Sequence, residues 1–143
     1  MVFLLLALHP RKADLQRLVY LDYAAIYSAD LGGPQSLHTP VPLRGAEYLS
    51  RRELIEEGLY LMVMRGLVDV AATETGIEFC AGENSTSLVG LIDGPYAKAL
   101  LERSYWAANR FSGVTDQEME AIFGSLGALW GAQFVGPEQS GVK

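Results

Sequence analysis

Two histidines, one cysteine and scattered carboxylates are the side chains with the clearest claim to chemistry in this 143-residue sequence. His9 and His38 fall in different elements, and neither has a second ligand at HxxxH or HExxH spacing, so no metal site is expected. Cys80 stands alone, which excludes an internal disulfide, a cysteine cluster for zinc and a CxxC redox pair, and points to the cytoplasm. Asp93 with Glu102, or Glu56 with Glu57, could be imagined as acid and base, yet helices routinely show such groups to water. Gly32-Gly33-Pro34 could cradle a phosphate, but no GxxxxGK[ST] or GxGxxG context surrounds it and the proline removes an amide, so a structural turn is expected. With no GxSxG, Cys–His pair or acidic nuclease cluster either, the residues predict neither catalysis nor a cofactor.

Binding chemistry is better represented. Tyr20, Tyr23 and Tyr27 recur at spacings of three and four, which suits a half-buried contact stripe because tyrosine joins apolar area to a polar tip; padding the core edge is the equal alternative. Arg51 and Arg52 could grip a phosphate or a partner carboxylate, with Arg44 and Arg65 expected nearby. Glu53, Glu56 and Glu57 cancel that charge, which favours a protein partner or a structural ion pair over bare DNA. Leu37 and His38 lie in a loop that either meets a partner or folds over the core through its leucine. The expected docking surface combines the loop from Gly32 to Arg44 with the tyrosine stripe, since its prolines and glycines suit a rigid shape.

These groups are positioned by a succession of helix signals. Met1 to Leu8, MVFLLLAL, lacks the basic flank of a signal peptide and is too short to span a bilayer, so it reads as a buried helix. No capping turn precedes Met1, which suggests a start several residues upstream. Asp14 is placed to cap a helix over Leu15 to Ala29, whose Leu15, Leu18, Val19 and Ile26 share a face with the out-of-character Asp22. Leu31 to Pro42, with two glycines and three prolines, must be a long loop. Helical spacing resumes from about Gly45 to Arg65, with Leu54, Ile55, Gly58, Leu59 and Met62 expected inward, and Gly66 supplies a left-handed stop. Val68 to Ala72 and Ile77 to Ala81 alternate around Glu74-Thr75-Gly76 as a hairpin.

Further helices are expected from Ser85 or Thr86 and from Pro95 to about Arg110. Thr115 and Glu118 form a capping box that opens a last helix from Asp116 to about Gln133, weakened by Gly124, Gly127 and Gly131. The expected fold is mainly α: a winged helix-turn-helix domain with a two-stranded β-hairpin wing and additional C-terminal helices over 1–135, followed by a disordered tail at 136–143. Eleven Lys and Arg against seventeen Asp and Glu give a formal charge of −6, opposite to the field of a chain that holds phosphate backbones by itself.

The run LDYAAIYSADLGGPQSLHTPVPLRGAEYLSRRELIEEGLYLMVMRGLVDV, continued by GIEF and PYAKALLERSYWAANRF, closely resembles the middle component of bacterial ABC three-component systems, the group that includes Lamassu-type defence operons. The likeness covers about residues 3 to 130, and its most specific part is the pattern GGPxSLHxPxPxRxxExLxRRELxExGLxLMxxRGLV, carried from Gly32 to Val68. The sequence starts later than the resemblance implies, so an incomplete first helix is expected. The resemblance implies a non-enzymatic adaptor of an antiphage or antiplasmid complex, binding an SMC/Rad50-like ABC ATPase and an effector, often a nuclease, with DNA met only within the assembled complex and no membrane. The alternative is an autonomous winged-helix transcription regulator. The adaptor's partner-binding residues would be Tyr20, Tyr23, Tyr27, Leu37, His38, Arg44, Arg51 and Arg52.

Overall fold

Helix α1 (Val2–Leu8) is short and apolar and buries Leu4, Leu5 and Leu8. A computed structural model describes residues 1–39 and 44–127 of the chain, with backbone alone over 44–49; the expected tail at 136–143 and the helix end beyond 127 lie outside the described residues. After α1, the two-residue strand β1 (Ala13–Asp14) leads directly into α2 (Leu15–Ile26). The Asp14 carboxylate accepts from the Arg17 amide at 2.8 Å, the expected N-cap. Helix α2 stops at Ile26, short of the expected Ala29, and a 3-10 turn (Ser28–Leu31) bends the chain into the loop.

Helix α3 (Arg44–Met64) is the longest described, and its end is specified by one glycine. Gly66 adopts φ 71°, its amide donates to the Val63 carbonyl at 3.2 Å, and the Leu67 amide reaches back to the Met62 carbonyl at 3.0 Å. That pair of bonds is the Schellman arrangement, which satisfies carbonyls left over at a helix end. The chain then enters β2 (Val68–Thr73) and returns as β3 (Gly76–Ala81) through a two-residue turn. A second glycine closes the hairpin base: a Cβ on Gly82 would lie 2.4 Å from the Gly66 carbonyl oxygen.

The sheet differs from the expected two-stranded wing. β1 pairs antiparallel with β3, Ala13 opposite Phe79, so the order is β1-β3-β2 with three strands. Two residues are too few to show any alternation, which is why β1 is invisible in the sequence. Helices α4 (Ser85–Leu91) and α5 (Pro95–Arg110) follow as expected, the second with proline in its first turn. A last helix, α6, covers described residues 116–127, and the Glu118 amide donates to the Thr115 hydroxyl at 3.2 Å.

The core forms where α1 and α2 pack on α5, with α1 also lying on β3 and α2 on α3. Leu5, Leu18, Leu21, Tyr23, Tyr27, Leu59, Val68, Phe111 and Met119 fill it. The chain is therefore mainly helical with one small antiparallel sheet at its side. Among the described residues, no helix is long and apolar enough to cross a membrane.

Candidate functional site

The tyrosine stripe is closed off by the chain itself. Tyr23 and Tyr27 are buried, their rings 4.9 Å apart, and the Tyr23 hydroxyl donates to Asp30 at 2.7 Å. Tyr20 is partly exposed but stacks on Phe123 of α6 with ring centroids 4.4 Å apart, and burial raises its hydroxyl pKa above the usual tyrosine value. Helical spacing placed the three on one side of α2; it could not foresee that α6 and the following turn would cover that side.

The loop after α2 is also fastened down. The Leu37 amide donates to the Ile26 carbonyl at 2.8 Å and its side chain packs against the core. His38 contacts the Tyr96 hydroxyl through Nε2 at 2.9 Å, while the Arg103 guanidinium donates to the Gln35 carbonyl at 2.9 Å. A Cβ on Gly33 would meet the Trp106 indole at 2.2 Å, so glycine is needed there for close approach to α5. Gly32-Gly33-Pro34 is thus a structural turn, and this part of the loop covers the core. The expected contribution of Pro40 and Pro42 falls on residues outside those described.

Arg51 and Arg52 of α3 are turned inward. Arg51 pairs with Asp22 of α2, Nη2 to Oδ2 at 2.7 Å and Nε to the same oxygen at 2.8 Å, and both side chains are mostly covered. That contact explains the acidic residue on the otherwise apolar face of α2. Arg52 donates to the Gln16 side chain on the same helix. Arg65 does not join them, because it follows the last residue of α3, at roughly 1.5 Å of helix rise per residue about 20 Å along from Arg52. The side chain of Arg44, at the first position of α3, lies outside the described residues.

What α3 presents outward is apolar and acidic. Leu59 and Ile55 are buried, but Leu54, expected inward, is 66% exposed, and Tyr60, Leu61 and Met64 are exposed by 63%, 61% and 84%. Successive residues of a helix point about 100° apart, so Leu54 and Ile55 cannot both face α2 when a single stripe of α3 meets it. The Arg51–Asp22 pair fixes which stripe that is, and Ile55, one turn after Arg51, falls on it. Glu53, Glu56 and Glu57 share the exposed side. Between α3 and the hairpin lies an apolar groove of about 170 Å3, lined by Leu15, Leu59, Tyr60, Val70, Ile77 and Phe79 with Glu56. Val70 and Ile77 are exposed at its sheet side. Sequence periodicity missed this surface because nothing in α3 itself says how wide a stripe its neighbours will cover.

Among the described residues, no group of three or more His, Cys, Asp or Glu side chains could hold a metal ion. The molecule thus sets one small sheet beside a helical core and leaves an apolar face on its longest described helix, the kind of surface that protein partners cover. A family model supplies the family: the chain belongs to the ABC-three component (ABC-3C) system Middle Component 2, matched over residues 1–133. No curated protein and no solved structure matches it.

Proposed function

We propose that this middle component is a non-enzymatic adaptor of a Lamassu-type antiphage or antiplasmid complex, acting in the cytoplasm. It would bind an ABC ATPase of the structural-maintenance-of-chromosomes type and couple it to an effector. Family membership supports its place in a multi-protein system, and the sequence resemblance supports the defence role. The element order α1, β1, α2, α3, β2, β3 with strands arranged β1-β3-β2 supports a winged helix as the framework.

The carrying observation is the outer face of α3. A winged helix that reads DNA by itself needs cations on that helix, because phosphate contacts supply most of the affinity. Here Arg51 and Arg52 are held by α2, and the outward side offers Leu54, Tyr60, Leu61 and Met64 among glutamates. Such a face repels phosphate and suits an apolar protein segment flanked by lysine or arginine. The partner surface proposed is therefore α3 with the hairpin groove. Tyr20, Leu37 and His38, partly exposed, and Arg44 at the start of α3 would be further contacts, whereas Tyr23 and Tyr27 would act only by holding the loop in place.

Co-expression with an ABC ATPase of the proposed type tests the reading. A Tyr60→Ala, Leu61→Glu double variant should keep its circular dichroism spectrum, since both side chains are exposed, yet lose co-purification of the ATPase. A folded variant that recovers the ATPase at full yield would remove this face from the mechanism. Specific, tight promoter binding by the isolated chain would favour the regulator instead.

A further inference from the structure

The charge of the molecule is locally inverted beside α1 and β1. A cleft of about 560 Å3 opens there, with Arg11, Lys12 and Arg17 in its lining and Glu78 as the one acidic side chain among the lining residues. Its apolar wall is made of buried core residues, Leu8, Leu21 and Phe111. In a chain of formal charge −6, three of the eleven Lys and Arg thus meet in one concavity.

The cations play different parts. Arg17 is a rigid wall: Nη1 pairs with Asp116 at 3.0 Å, and Nη2 donates to the carbonyls of Phe111 at 2.8 Å and Val114 at 2.7 Å. Arg11 is exposed, but its Nε donates to the Leu8 carbonyl at 3.3 Å, which sets the direction of the guanidinium while its terminal nitrogens remain able to donate outward. Lys12 is exposed next to it. Arg110 stands beside the same wall, its guanidinium 5.0 Å from the centre of the Phe111 ring. Cations gathered in a concavity reinforce one another's field, so an anion is attracted here although the molecule as a whole repels it.

We propose that this cleft binds a phosphate ester of nucleotide size, with Arg11 and Lys12 holding the phosphate and Glu78 accepting from a hydroxyl or amine of the ligand body. A volume of about 560 Å3 is far more than a lone ion fills and lies within the roughly 300–1,000 Å3 of ordinary small-ligand sites. Guanidinium and ammonium side by side supply charge-assisted bonds suited to phosphate oxygens. A carboxylate in the same lining has no use for a second anion and selects a ligand that also carries donors. The cleft shares no lining residue with the groove of α3, so the two sites stand or fall separately.

Thermal unfolding of the full chain tests the assignment with metal-free ATP, with a 5′-phosphorylated single-stranded oligonucleotide, and with adenosine as the uncharged control. The midpoint should rise with ATP or with the phosphorylated strand and stay put with adenosine; the arm that responds names the source of the phosphate. An Arg11→Glu, Lys12→Glu double variant should weaken the effect by about tenfold or more, whereas an Arg65→Glu, Lys98→Glu variant, equal in charge change and remote in sequence, should not. Should the first variant not fold, Arg11→Gln with Lys12→Gln replaces it. No response to either phosphate probe, or a response that survives in the Arg11 and Lys12 variants, overturns the proposal.

Discussion

Asp22 and Arg51 show how a residue that breaks a pattern reports a contact far along the chain. The carboxylate sits on the apolar side of α2, where it would be costly without a cation, and the guanidinium of α3 meets it at 2.7 Å with side-chain exposures of 13% and 25%. Removing Asp22 leaves a largely covered guanidinium without its acceptor. Asp22→Ala should therefore lower unfolding stability by about 1–3 kcal/mol in urea titration, and the Asp22→Ala, Arg51→Ala double variant should lose less than the sum of the singles. Additive losses, or a single loss within about 0.5 kcal/mol, would mean that the pair behaves like an ordinary surface ion pair. Arg17 teaches the complementary lesson. Its partners lie 94 to 99 positions away, at Phe111, Val114 and Asp116, so no local pattern could have nominated it as the clamp between α2 and the start of α6.

At the scale of elements, the readable features were those whose cause is local. Asp14 capping α2, Gly66 ending α3, Thr115 opening α6 and proline opening α5 each act within a turn of the residue itself, and each is found where its chemistry puts it. Features that depend on what packs opposite were not readable: the two-residue β1, the cover over the tyrosines, and the side of α3 that faces in. Leu59 and Leu61 separate those two sides. The first is 1% exposed and touches the core, so Leu59→Asp places a carboxylate without a partner among apolar side chains and should unfold or aggregate the chain. Leu61, 61% exposed, should accept aspartate with a change within about 0.5 kcal/mol. Paired melting curves check this directly. Equal melting temperatures for the two variants would mean that the inner stripe of α3 is misassigned.

Across the whole molecule, charge is distributed so that the helix a winged helix would offer to DNA is its least suitable part. Seventeen acidic residues outweigh eleven basic ones, Arg51 and Arg52 are held against α2, and Glu53, Glu56 and Glu57 remain outward on α3. The basic exception beside β1 is a concave cleft, which admits a single phosphate ester more readily than it follows the regular backbone of a duplex. Non-specific binding that rests on phosphate contacts alone reaches dissociation constants of about 10⁻⁴ to 10⁻⁶ M at physiological salt, and only when several cations act together. The isolated chain should therefore bind duplex DNA no more tightly than about 10⁻⁵ M in fluorescence anisotropy, with no sequence preference and little left at raised salt. Adding the proposed ATPase partner should produce binding that the chain alone lacks. Nanomolar affinity for one sequence by the isolated chain would overturn this, since it would require base contacts from a helix whose outward side carries leucine, tyrosine and methionine among glutamates. Weak binding by the isolated chain that persists unchanged in the α3 variant would agree with the same charge argument, because the residues altered there are not the ones that meet phosphate.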